Sequence, residues 1–265
     1  MLLLHGFPQF WWTWRHQMDA LSHAGYRVAA MDLRGYGASD KPPRGYDTPT
    51  LCADVAGVIR SLGVTDAVVV GHDWGAWIAW SMPSLQPRTT RAVAALSLAH
   101  PLRMQAWPVD LRQLWGNRHA WAFQVPIRPE RQLTDGGVVS ELLERWAAPG
   151  WPGPEEVRRY TEAMRVPFVA HSAMEYYRWA ARSLPRPDGR RFAAAVRHTI
   201  AVPVLQLHGA LDTCVLPAYA RSSSRFVRGQ YRWELVDGAG HFLPEEAPEA
   251  TSALLVDWLD GLQAR

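Results

Sequence analysis

Apolar positions along this chain keep two rhythms. Unbroken apolar runs predict buried strands at residues 2–4, 67–70 and 92–98, and strands return at 204–209 and 231–236. A further strand is predicted at 26–32, leading into a glycine-rich turn over residues 34–37. Between strands, helical spacing of apolar residues covers 14–23, 50–62, 75–85 and 248–262. Gly25 and Gly63 sit where the first two helices should stop, and Thr48 or Thr50 is placed to cap the second. Strand alternating with helix predicts a parallel sheet with helices on both faces.

The rhythm changes after His100-Pro101. From residue 102 to 197 the chain is rich in arginine and tryptophan, helical in places and broken by prolines, and no strand pattern is convincing. The expected organisation is one α/β core, residues 1–101 and 198–265, interrupted by a helical cap at 102–197. The chain also starts within a strand, because Leu2-Leu3-Leu4 runs directly into His5-Gly6-Phe7-Pro8. Either the sheet is short by its first strands or the start is set too late. Missing strands would leave a sheet edge open to pairing, including pairing into a homodimer.

The junction between the 67–70 strand and the next helix carries the most specific signal. Gly71-His72-Asp73-Trp74-Gly75 has the form of a nucleophile elbow, a sharp strand-to-helix turn between glycines, with aspartate where serine is usual. A carboxylate there attacks carbon and leaves an ester on the protein, which favours an electrophilic sp³ carbon such as that of an epoxide or alkyl halide. Asp212 and His241 each follow a later predicted strand, giving the chain order nucleophile, acid, base. Catalytic groups gather at the carboxyl ends of strands in open α/β sheets. His241 is the expected general base for the hydrolytic water, and Asp212 holds its tautomer and stabilises the imidazolium. The expected oxyanion donors are the backbone N–H groups of Trp74 and Phe7.

Composition narrows this little. With 265 residues, 48% of them hydrophobic, the chain can bury a sizeable core. A net charge of +3 without a basic run argues against a nucleic-acid partner. Cys52 and Cys214 have neither disulfide nor metal spacing and read as reduced thiols. No run is long enough for a membrane span and no secretory leader is visible, so a cytoplasmic enzyme is expected. No motif calls for a metal or organic cofactor. Trp107, Trp115, Trp121 and Trp179, from a total of 14 tryptophans, suggest an apolar or aromatic pocket in the middle segment.

Four segments together, His5-Gly6-Phe7-Pro8, residues 32–39, Gly71-His72-Asp73-Trp74-Gly75-Ala76 and Gly240-His241-Phe242, resemble the α/β-hydrolase superfamily, and specifically its epoxide hydrolase branch. That resemblance implies a small apolar epoxide and water as reactants and a vicinal diol as product. It also implies two hydrogen-bond donors from the cap, usually tyrosines, that assist ring opening. Glu175-Tyr176-Tyr177-Arg178-Trp179 resembles the segment with the second, which maps to Tyr177. The segment 118–124 resembles the first, with His119 at the tyrosine position, as in a smaller bacterial group with a histidine and tyrosine pair. Tyr176 and Trp121 join Trp74 as expected substrate contacts. Haloalkane dehalogenation is the alternative, with Trp74 and Trp121 as halide donors. Haloacetate dehalogenases keep arginines after the nucleophile, and here Trp74, Gly75, Ala76 and Trp77 follow. A non-catalytic binding protein of the same fold is more remote, since Asp73, Asp212 and His241 are all present.

Overall fold

The computed structural model describes residues 1–106 and 111–263. Six parallel strands form one sheet: β1 (Leu2–Leu4), β2 (Ala29–Met31), β3 (Ala67–His72), β4 (Thr90–Leu96), β5 (Val204–Gly209) and β6 (Tyr231–Val236). Their spatial order is β2-β1-β3-β4-β5-β6, so β1 lies inside the sheet and β2 and β6 form its edges. Both faces are covered, which is why the central strands read as unbroken apolar runs. Alternate residues serve opposite sides: Leu2, Leu4, Val69 and Val93 join one core, and Leu3, Val68, Val70 and Ala94 join the other.

Helices α1 (Arg15–His23), α2 (Thr48–Ser61) and α3 (Trp74–Leu85) connect the first strands. Helix α2 starts earlier than its apolar pattern predicts. Asp47, rather than either threonine, is the N-cap, and its carboxylate accepts from the Thr50 N–H at 2.9 Å. Strand β2 is three residues long, so the predicted strand at 26–32 is shorter than its apolar content suggests. β4 ends at Leu96 because Ser97 takes a left-handed turn, with φ of 59°.

Between β4 and β5 lie the helices α4 (Pro101–Met104), α5 (Leu111–Gly116), α6 (Arg118–Ala122), α7 (Arg128–Asp135), α8 (Gly137–Trp146), α9 (Pro154–Arg165), α10 (Val169–Arg182) and α11 (Pro187–Ala195). Short α12 (Pro217–Arg221) and α13 (Leu243–Glu246) precede the long α14 (Pro248–Gln263). Specific polar contacts fasten the middle helices to the sheet. The Tyr160 hydroxyl on α9 donates to buried Glu245 on α13, which also pairs with Arg15 of α1 at 2.5 Å. Gln113 on α5 donates to the Cys214 carbonyl at 2.7 Å and accepts from the Leu216 N–H at 2.9 Å. No helix among the described residues is long and apolar enough to cross a membrane.

Three glycines allow the turn after β3. A Cβ on Gly71 would lie 2.1 Å from the Gly75 carbonyl oxygen, and one on Gly75 would lie 2.0 Å from that of Leu4. A Cβ on Gly6 would lie 2.4 Å from the Asp73 Cβ. The Gly75→Ala variant is therefore expected to lose at least about 2 kcal/mol of stability, because backbone rather than a flexible side chain must move. Denaturant unfolding checks this, and an unchanged midpoint would contradict the packing described.

Candidate active site

Asp73 occupies the tip of the strand-to-helix turn with φ of 49°, a left-handed backbone rare outside glycine. Helix α3 begins at the next residue, so the first N–H groups of that helix have no partner within it. The Asp73 side chain is held from two sides. Its Oδ1 accepts from the Phe7 N–H at 2.9 Å, and its Oδ2 lies 3.5 Å from His241 Nε2. His241 Nδ1 lies 2.9 Å from Asp212 Oδ2, so one imidazole stands between two buried carboxylates. Asp73, Asp212 and His241, far apart in the chain, are thus brought together. Phe7 and Trp74, named for the oxyanion site, flank the same carboxylate.

Electrostatics follows from that arrangement. Burial alone would lower the His241 pKa, but the adjacent Asp212 and Asp73 raise it above its ordinary value. Burial would likewise raise both carboxylates. For Asp73 the hydrogen bond and charge of His241, the charge of His72 and the Phe7 N–H outweigh it and bring the pKa below its ordinary value. Asp212 is held low by His241 and His208 against the same burial penalty. The resting site is an imidazolium between two carboxylates.

Several supporting residues were not singled out from sequence. Glu246 Oε2 accepts from the N–H groups of Gly240 and Ala148, both at 2.7 Å, and its Oε1 accepts from the Phe242 N–H at 2.6 Å. It therefore clamps the residues on either side of His241 to the end of α8. His72 Nε2 donates to the His241 carbonyl at 2.7 Å. His208 Nε2 lies 3.2 Å from the Asp212 oxygen that faces His241. The other Asp212 oxygen accepts from the N–H groups of Cys214 and Val215 at 2.8 and 2.9 Å. The sequence signal for Glu246 was its place five residues after His241, but backbone acceptance leaves no mark in side-chain type.

A cavity of about 270 Å³ opens from Asp73 between the sheet and the middle helices. Trp74, Trp77, Leu98, Met104 and Leu114 supply apolar wall, and His119 and Tyr177 line it beside the carboxylate. A larger hollow of about 390 Å³ lies at the amino ends of the strands, near Met1, Tyr26 and Leu259. Neither Asp73 nor His241 lines it, whereas Asp73 lines the smaller cavity. Tyr177 meets Phe7 and Trp74 edge-on at 5.5 and 4.9 Å between ring centroids. Burial, then the charge of Asp73, pushes its hydroxyl pKa well above the ordinary value, which keeps the proton on the oxygen. The Trp74 indole N–H is buried, and its interaction with the Tyr177 hydroxyl partly opposes that rise.

Other expected contacts fare differently. Trp121 lines the cavity but is 65% exposed, which places it at the rim. Tyr176 turns away from the cavity: its hydroxyl donates to the Arg34 carbonyl at 2.7 Å and its ring packs among Tyr36, Tyr46 and Trp74. Its expected role as a substrate contact is therefore corrected to packing. Adjacent helical residues point about 100° apart, and here Tyr177 lines the cavity while Tyr176 does not. Trp115 is largely exposed, and Trp107 lies outside the described residues. Among the described residues no cluster of histidine, cysteine and carboxylate could hold a metal ion.

His119 presents a particular tautomer. Its Nδ1 lies 3.2 Å from the Gly116 carbonyl, which can only accept, so Nδ1 carries the hydrogen. Burial lowers the pKa of the ring to about 4, so the imidazole is neutral near pH 7.

Comparisons with known proteins give the family. A family profile described as the α/β hydrolase fold matches residues 1–248. Epoxide hydrolase A of Mycobacterium tuberculosis is 34% identical, with the alignment covering 100% of this chain and 91% of that protein. Epoxide hydrolase 3 of Xenopus tropicalis is 30% identical over 98% of this chain and 71% of its own. The crystal structure of Epoxide Hydrolase A from Mycobacterium thermoresistibile superposes with a TM-score of 0.81 at 29% identity, covering 98% of this chain and 90% of that one. With an aspartate elbow in place and relatives of this kind along its whole length, the chain belongs to the α/β hydrolase fold family, in its epoxide hydrolase branch.

Proposed function

We propose that this protein converts an epoxide and water into a vicinal diol through an ester on Asp73. The observation that carries the reading is a carboxylate at the elbow, 3.5 Å from a histidine base and open to an apolar cavity. In the first step an Asp73 oxygen bonds to a ring carbon as that carbon's bond to the epoxide oxygen breaks. The Tyr177 hydroxyl donates a hydrogen bond to the departing oxygen, with the Trp74 indole N–H beside that hydroxyl. Esterification removes one of the two charges that hold the His241 proton. The proton His241 then releases balances the one gained by the new alcohol oxygen.

Neutral His241 now serves as base. It takes a proton from water, and the hydroxide attacks the carbonyl carbon of the ester. The backbone N–H groups of Phe7 and Trp74 are the proposed donors to the resulting oxyanion. Collapse releases the diol and restores the Asp73 carboxylate beside imidazolium. In this scheme residues 102–197 act as the cap, supplying Tyr177 and excluding bulk water. A haloalkane would meet the same carboxylate and the same Trp74 donor, so release of halide without diol from a mixed panel would move the assignment to dehalogenation.

Asp73→Asn is expected to abolish turnover, because an amide is a poor nucleophile. Normal rates in a sample verified free of deamidation would contradict the assignment. His241→Gln should still form the ester but release it slowly, so mass spectrometry should find a persistent adduct on the Asp73 peptide. An unmodified Asp73 peptide would contradict the division of roles.

The two half-reactions should also differ in pH dependence. Asp73 has a lowered pKa, so it stays ionised at pH 5 and alkylation proceeds. His241 must be neutral for the second step, and acid protonates it. The ester fraction in rapid-quench samples is therefore expected to be larger at pH 5 than at pH 8, and an equal fraction would contradict the scheme.

A further inference from the structure

Large apolar side chains stand in water around the mouth of the Asp73 cavity. Leu111 and Trp115, one turn apart on α5, are 80% and 70% exposed. Trp121 on α6 and Leu184 just after α10 are 65% and 50% exposed, and both also line the cavity. The segments that carry them are joined. Arg182 of α10 donates to the Gln124 carbonyl at 2.7 Å, and Arg178 donates to the Val125 carbonyl at 3.0 Å. Single exposed apolar residues are ordinary, but a set gathered around one opening marks a surface that meets another apolar body.

The same two segments are basic. Residues 111–129 and 180–187 contain Arg112, Arg118, Arg128, Arg182 and Arg186 and no acidic residue. Arg118 lies over the Trp115 ring, 4.7 Å from its centroid, so cation and indole are presented together. Two residues past Leu184, Arg186 joins Arg44, Arg178 and Arg182 in lining a cleft of about 260 Å³ between α10 and the loop before α2. The two carboxylates of that cleft are already engaged: Glu175 pairs with Arg178 at 3.0 Å, and Asp47 caps α2. Tryptophan and leucine at the acyl boundary, with arginines at the level of the headgroups, suit a protein that lies on a bilayer without spanning it.

We propose that this face docks on the surface of an anionic phospholipid bilayer, so that apolar epoxides dissolved in the lipid enter the cavity past Trp121 and Leu184. The docking stands on the surface itself, and the delivery of substrate rests on the epoxide reading above. Charge decides between lipid and a second copy of the chain. Pairing the face with itself about a two-fold axis would set arginine against arginine, whereas lipid phosphates complement all of them. An apolar epoxide concentrates in lipid, so a cavity that opens onto the bilayer meets its substrate without first drawing it into water.

The test is sedimentation of the intact protein with vesicles of phosphatidylcholine, alone or mixed with phosphatidylglycerol. The mixed vesicles are expected to bind about tenfold or more tightly than the neutral ones, and high salt should narrow that difference. A double variant, Leu111→Ser with Trp115→Ser, should weaken binding to mixed vesicles about tenfold, and Arg186→Glu about fivefold or more. Both variants should keep the wild-type circular dichroism and the wild-type turnover of a water-dissolved epoxide. No sedimentation with either vesicle, or variants that bind as the wild type does, would overturn the proposal. A dimer in light scattering that Trp115→Ser dissolves would assign the face to a second copy and overturn it too. Vesicle binding without diol from any epoxide would overturn the epoxide reading and leave the docking in place. Diol from a dissolved epoxide without vesicle binding would overturn the docking alone.

Discussion

One imidazole held between two buried carboxylates is the interaction on which the rest of this site depends. Asp212 Oδ2 and Asp73 Oδ2 lie 2.9 and 3.5 Å from the two nitrogens of His241. Two carboxylates so deep in the protein cannot both stay ionised without a compensating charge. His241 supplies it, and Asp212 gains further donors from His208 and two backbone N–H groups. The arrangement sets the order of events. In the proposed scheme His241 is held as the acid while Asp73 is charged, and is free to become the base once Asp73 is esterified.

The surrounding structure keeps that imidazole in place. Glu246 fastens the loop on both sides of it, His72 holds its carbonyl, and its own N–H donates to the Trp146 carbonyl at 2.9 Å. Trp146 ends α8, so the middle helices and the base are positioned together. On the other side the elbow gives Asp73 a single backbone geometry, because Gly6, Gly71 and Gly75 leave no room for side chains.

Much of this was legible from sequence because it rests on local pattern. Unbroken apolar runs marked strands buried on both faces, and Gly71-x-Asp73-x-Gly75 marked the elbow. The order of Asp73, Asp212 and His241 after strands pointed to one shared edge. Less legible were features set by single polar atoms. The start of α2 depends on the Asp47 carboxylate, and the character of His119 depends on the Gly116 carbonyl three residues earlier. Tyr176 and Tyr177 were adjacent candidates, and only helix phase separates the one that packs from the one that lines the cavity. The middle helices carry prolines and surface arginines, which weaken their periodicity, so their individual bounds were not readable.

The most direct test of the central claim, that Asp73 is the nucleophile, follows oxygen. Enzyme in excess over an epoxide would complete a single turnover in ¹⁸O-labelled water, with both diol and digested protein analysed by mass spectrometry. The account predicts that the diol from this first turnover is unlabelled and that the Asp73 peptide gains the label, because water attacks the ester carbonyl carbon. Label in the first-turnover diol with none in the Asp73 peptide would mean that water attacks the epoxide directly, and would contradict the account.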